Sequence, residues 1–221
     1  MLKAFLGPLL LCTLVPLGSA QTIFSNLDAS NTSTNTGYGV NGTPGVGYLE
    51  LAMGFVATAS GQLGRIRIPI FFDDFSSSGP NSATVFLLTD SSGRPGTTMG
   101  SWTINTLDSW PFSSVHSARV ISVTSGASLS AGTTYWLAAA APTNTQDVWG
   151  WTPLGGTLLS SLKQSPNGNW SSGQQVTAAG FSLEAVPEPS MLLILSLGFS
   201  ATARRRAARS MQGRRGNTPA A

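Results

Sequence analysis

Few residues in this 221-residue sequence have the type and spacing to do chemistry. The single histidine is His116 and the single cysteine Cys12. Paired imidazole or thiolate zinc sites are therefore poorly supported, and Ser-His-Asp hydrolysis would have to use His116 as its one base. His116 lies between Val115 and Ser117 in an expected connector, where a lone histidine reads as solvated. Asp73 and Asp74 are adjacent carboxylates. Neighbouring residues point apart, so they are not set across a glycosidic bond at hydrolytic spacing. With Asn81 or backbone oxygens they could hold a hard cation such as calcium, the alternative being a solvated loop. Trp149, Trp151 and Trp170 stand among the polar residues Gln146, Asp147, Asn167 and Asn169. Trp149 and Trp151 are two apart on an expected strand and share a face. Flat indoles ringed by amides can stack on sugar C–H faces while hydroxyls find polar partners; the other reading packs both in the core. No residue is assigned a catalytic role, no cofactor is called for, and a non-enzyme is expected.

A second constellation lies near the carboxy terminus. Val186-Pro187-Glu188-Pro189-Ser190 precedes the apolar run 191–203, and Arg204, Arg205, Arg206 and Arg209 follow it. Arginine resists translocation, so a segment ahead of such a cluster stops in the bilayer with the arginines on the cytoplasmic side. As a helix at 1.5 Å per residue the run spans roughly 20 Å. That is short of the roughly 30 Å hydrocarbon core, although snorkelling arginines lengthen the effective segment. Temporary residence in a membrane suits it better than a permanent span. The remainder, 210–221, is expected to be disordered.

Those residues, from Val186 to Arg209, resemble the PEP-CTERM sorting signal of exported bacterial proteins. The resemblance implies recognition at Val186 to Ser190 by an exosortase, a membrane-embedded processing enzyme. It also implies a transient stay in the inner membrane and a destination on the cell surface or in the extracellular matrix of a Gram-negative bacterium. The tail from Arg204 to Ala221 is longer than is usual for that family.

At the other end, Met1-Leu2-Lys3, a mostly apolar stretch 4–17 and Gly18-Ser19-Ala20 form an expected secretory signal peptide, 1–20. Its removal would take Cys12 with it, leaving no thiol for a disulfide or a nucleophile. The chain carries a formal charge of +3, but the charge is unevenly placed. Between Gln21 and Val186, Arg65, Arg67, Arg94, Arg119 and Lys163 face eight carboxylates, a net −3. The basicity belongs to the tail, so nucleic acid is not an expected partner.

The segment 21–185 is the size of one domain. It is rich in Gly, Ser, Thr and Asn, which disfavours helix. Alternation of Ile66, Ile68 and Ile70 with Arg65 and Arg67 predicts a strand with one wet face, and Pro69 an edge or bulge. Further strands are expected at 21–24, 48–57, 84–89, 98–104, 118–123, 133–139, 148–151 and 176–185. Asn26 to Gly47 reads as one long loop. About nine short strands with turns between predict an antiparallel β-sandwich or jelly roll. Ser92 to Thr97 and Leu129 to Leu137, with the opening Thr22 to Leu27, resemble the exported β-sandwich domain called choice-of-anchor R. That likeness implies a fold and an extracellular habitat without transferring any ligand-binding residue. The expected role is structural or exopolysaccharide-associated, with a carbohydrate-binding module or a secreted hydrolase as alternatives.

Overall fold

The computed structural model describes residues 20–43, 47–110, 116–124 and 126–187. Most of the expected signal peptide, Glu188, Pro189 and Ser190, the apolar run 191–203 and Arg204, Arg205, Arg206 and Arg209 lie outside the described residues. Ala20–Val186 makes one compact unit, with sixteen strands and no helix among the described residues. In chain order the strands are β1 (Thr22–Ser25), β2 (Thr32–Ser33), β3 (Gly37–Asn41), β4 (Glu50–Val56), β5 (Gly61–Ile68), β6 (Ile70–Phe72), β7 (Ser82–Asp90) and β8 (Pro95–Asn105). There follow β9 (His116–Ser117), β10 (Arg119–Ser122), β11 (Ser128–Leu129), β12 (Thr134–Ala140), β13 (Gln146–Gly150), β14 (Thr157–Lys163), β15 (Gln174–Thr177) and β16 (Ser182–Ala185).

A six-stranded sheet runs β15-β14-β4-β12-β7-β8, and a second runs β1-β16-β5-β10 with β11 also on β5. Each of these strand pairs is antiparallel. Leu51, Met53 and Phe55 of β4, Val85 and Leu87 of β7 and Leu137 of β12 share one buried cluster with Ile66 and Ile68 of β5 and Leu183 of β16. Two antiparallel sheets thus sandwich a common core, the arrangement that lets each strand bury one face. Phe55 and Phe181 are buried in it and the half-buried Phe24 packs against both, with ring centroids 4.9 to 5.5 Å apart.

The alternation in β5 works as the pattern requires, with one adjustment. Ile66 and Ile68 are buried, and Arg65 and Arg67 point the other way onto Glu184 of β16. Leu63 is buried too, three residues before Ile66, because Ala185 pairs with Leu63 and Glu184 with Arg65. Gly64 is the extra residue of a bulge that restores the facing. Pro69 then ends the ladder, and the chain enters β6, which pairs with β13 in a small sheet of order β3-β13-β6. Pro69 marks a change of sheet, where an edge or a bulge was expected.

The stretch 26–47 is not one loop. Both oxygens of Asp28 accept hydrogen bonds from Thr32, from its N–H and its hydroxyl at 2.8 Å each. These bonds, the backbone one foremost, hold the Asp28 carboxyl below the ordinary carboxylate range. The chain turns there into β2, which pairs with β9, and β3 follows on the edge of β13. Two further departures are β14, which the sequence did not single out, and the division of 176–185 into β15 and β16 by a return between sheets.

Trp149 of β13 is fully buried, and its indole N–H donates to the Gly180 carbonyl at 2.8 Å. Its ring lies 6.0 Å from that of Phe181. Truncation leaves a cavity and an orphaned carbonyl. Trp149→Ala is expected to cost about 3–5 kcal/mol in urea denaturation. A loss below 1 kcal/mol would contradict a core role.

Candidate functional site

The outer face of the six-stranded sheet carries a second, smaller apolar cluster of Ala52, Leu88, Trp136 and Ala138, with Phe86, Leu159 and Trp170 against it. Leu159, Gly54, Trp136 and Leu88 stand opposite one another on β14, β4, β12 and β7. Gly54 lets the Trp136 ring lie close over β4, since a Cβ there would sit 3.2 Å from that ring. The Trp136 indole N–H donates to Asp90 Oδ1 at 2.8 Å.

Two loops meet over this face. The first joins β7 to β8. Ser92 and Gly93 have φ of 56° and 78°, and Ser91 N–H bonds the Arg94 carbonyl at 2.8 Å. That is a two-residue hairpin turn with both central residues left-handed, the kind whose twist matches its strands. Asp90 Oδ2 accepts the Gly93 N–H at 3.1 Å, so Asp90 ties the turn to Trp136. The second loop, 164–173, joins β14 to β15 and is pinned by Ser171. Ser161 Oγ donates to the Ser171 carbonyl at 2.7 Å, and Ser171 Oγ accepts the Leu162 N–H at 2.9 Å. Gly173 N–H reaches the Gly93 carbonyl at 3.2 Å and joins the two loops.

An open cleft of about 420 Å³ lies where they meet, lined by Ser91, Ser92, Arg94, Asn169 and Trp170 among others. A second, of about 350 Å³, is lined by Gln164, Ser165, Asn169, Ser171 and Gln174 beside Leu162 and Val176. Gly168 and Asn169 line both, so the clefts adjoin at the 164–173 loop. Trp170 is held from beneath by the outer cluster and by Lys163, whose ammonium lies 5.9 Å from the ring centroid. Lys163 is fixed in turn by both oxygens of Glu50, at 3.2 and 3.3 Å. The Tyr48 hydroxyl also donates to Glu50; burial, then that acceptor, raises the phenol above its ordinary range. An aromatic ring, amides, hydroxyls and a guanidinium on a wet cleft can hold a polar, ring-shaped ligand by stacking and hydrogen bonds.

The sequence candidates fall differently from one another. Trp149 is interior, which overturns the reading in which it and Trp151 form an exposed sugar platform. Trp151 is half-buried, with its ring 5.5 Å from that of Tyr38. Trp170 alone of the three lines a cleft described above. Asp73 Oδ1 accepts the Phe75 N–H at 3.0 Å and so serves its own turn. Asn81, the side chain that could have completed a calcium site with Asp73 and Asp74, spends both ends of its amide on the Leu107 backbone, at 3.0 and 2.7 Å. Among the described residues no group of three or more His, Cys, Asp or Glu could hold a metal ion. His116 pairs through its backbone with Ser33; its side chain lies outside the described residues. Sequence reasoning passed over Arg94, visible only as part of a Gly-Arg-Pro-Gly turn, and the Gln164 and Gln174 amides.

Asp147, expected among the polar residues ringing the tryptophans, lies elsewhere than on a wet surface. This carboxyl is fully buried on β13, two residues before Trp149, and neither oxygen has a hydrogen-bond partner among the described residues. Burial pushes its pKa up to about 8, because the charged form loses its water.

No model of a known protein family matches the chain, and no curated protein matches it either. Asp147 nevertheless makes a measurable commitment. The native state holds a proton that the unfolded chain, with a pKa near 3.8, releases. Stability from this group is therefore complete below about pH 4 and is lost as pH rises towards about 8, at up to about 1.4 kcal/mol per pH unit. Asp147→Asn cannot ionise. Its melting temperature is expected to vary less between pH 4 and 8 and to exceed that of the native chain at pH 8. Parallel pH profiles for the two proteins would contradict this.

Proposed function

We propose that this chain is an exported, non-enzymatic protein of a Gram-negative cell surface or extracellular matrix, sorted through its PEP-CTERM tail and trimmed by an exosortase. The observation that carries the reading is the order Val186-Pro187-Glu188-Pro189-Ser190, apolar run, arginine cluster, set behind a domain that opens with an expected signal peptide. The fold is compatible with such processing at a specific place. The last strand ends at Ala185, the Val186 N–H bonds the Gln62 carbonyl at 2.8 Å, and Val186 and Pro187 are exposed. A cut at Pro187 or beyond takes no strand from the domain. In this reading the run 191–203 parks in the inner membrane until the cut, and Arg204, Arg205, Arg206 and Arg209 hold its cytoplasmic end. The folded part outside then has a structural or polysaccharide-contacting role.

Intact masses of surface and membrane fractions, from a host with the exosortase and from a matched strain lacking it, test the proposal. A surface form running from Gln21 to a residue between Val186 and Ser190, present only with the enzyme, is the expected result. An arginine-rich tail retained in both strains would reduce the terminus to a plain membrane anchor.

A further inference from the structure

The described domain disposes of its cations with one exception. Arg65 and Arg67 pair with Glu184 at 2.9 and 2.8 Å, Arg119 with Asp108 at 2.7 Å, and Lys163 with Glu50 at 3.2 Å. Arg94 makes no ion pair among the described residues, although carboxylates outnumber cations in this segment. The carboxylate nearest in sequence, Asp90, gives one oxygen to Trp136 and the other to Gly93. Arg94 is exposed on a stiff two-residue hairpin and lines the same cleft as Asn169 and Trp170.

We infer that the two clefts flanking the 164–173 loop bind an acidic polysaccharide, with Arg94 receiving the carboxylate of a uronic acid unit. The guanidinium offers a planar fork that matches a carboxylate in two hydrogen bonds. Trp170 offers an apolar surface to the ring C–H groups, and Ser91, Ser92 and Asn169 offer partners for hydroxyls. The adjoining cleft contains no charged side chain; its Gln164, Gln174, Ser165 and Ser171 suit uncharged hydroxyls. A chain of sugars occupying both clefts would place acidic units at Arg94 and hydroxyl-rich units beyond Asn169. Runs of phosphate fit poorly, because they offer Trp170 no sugar C–H face to stack on. Single-site affinity is expected to be weak, with repeated units along the polymer supplying retention. The inference rests on the proposed function only in taking the domain to meet polysaccharide outside the cell.

Affinity electrophoresis of the full chain in detergent through gels containing polygalacturonate, or the same polymer with its carboxyls reduced to alcohols, tests it. Retardation is expected in the first gel, weakening with salt, and much less in the second. Arg94→Gln should weaken binding to polygalacturonate about tenfold, the scale of one lost charge-assisted contact. Arg65→Gln removes the same charge from the Glu184 pair on the other sheet and should change binding less than twofold. Trp170→Phe, which keeps an aromatic ring over the outer cluster, should weaken binding several-fold with the melting transition kept. Equal retardation by the two polymers, an Arg94→Gln protein that binds like the native chain, or equal losses for Arg94→Gln and Arg65→Gln would each overturn the inference. So would a native chain that neither polymer retards. The readout does not depend on tail processing, so binding can fail while exosortase-dependent trimming stands, and the reverse.

Discussion

The central strands β4 and β12 have almost no wet face, and the form of the outer surface follows from that. Six consecutive residues of β4, Glu50 to Phe55, are buried, as are Tyr135 to Ala139 of β12. A strand in an ordinary two-layer sandwich buries alternate residues against the other sheet and leaves the rest to solvent. Here the second face carries Ala52, Gly54, Trp136 and Ala138, too apolar to leave open. Small residues at three of those positions let the indole lie flat. The loop 164–173 then completes the cover with Trp170, and the β7–β8 turn meets it at Gly173 and Gly93. The clefts are thus where a cover built from two loops stops, and their polar linings combine those loops with Ser160 of β14 and Gln174 of β15.

Much of the all-β character was legible because it is local chemistry. Ile66 and Ile68 against Arg65 and Arg67 announce a half-buried strand, and Ser92-Gly93 announces a tight turn. The short strands inside 26–47 were illegible because β3, Gly-Tyr-Gly-Val-Asn, carries little apolar signal of its own. It is a strand because β13 offers it an edge, and a pairing across about a hundred residues leaves no mark in either segment alone. Strand β14 failed to stand out for a related reason. Ser160 and Ser161 interrupt its apolar pattern, yet both are buried, Ser161 through its bond to the Ser171 carbonyl.

The candidate site was half legible. Trp170 and Asn169 stand in a polar, turn-rich run, and such residues on a loop invite a ligand reading. Arg94 lies more than seventy residues earlier, and only the sheet order β14-β4-β12-β7 brings the two loops to one side. The pairing of Trp149 with Trp151 misled because period two fixes a common face without saying which face is buried. On β13 the residues that share that face include Asp147 as well as Trp149. The polar neighbour that suggested an exposed binding surface is itself in the interior, unpaired.

The place where the chain leaves the domain is set by the same topology. Strand β16 lies between β1 and β5, and the Ala185 N–H bonds the Gln21 carbonyl at 2.8 Å. The first and last strands are therefore neighbours, and a chain held at its carboxy end pulls on a strand that is laddered on both sides. Arg65 and Arg67 add ion pairs to Glu184 of that strand. Load along β16 has to shear two ladders and a double ion pair together, which is stiffer than peeling an edge strand one bond at a time. Under the proposed sorting, a domain first parked at a membrane and then presented outside the cell is gripped at a strand laddered on both sides, away from the two loops that cover the outer face of the other sheet.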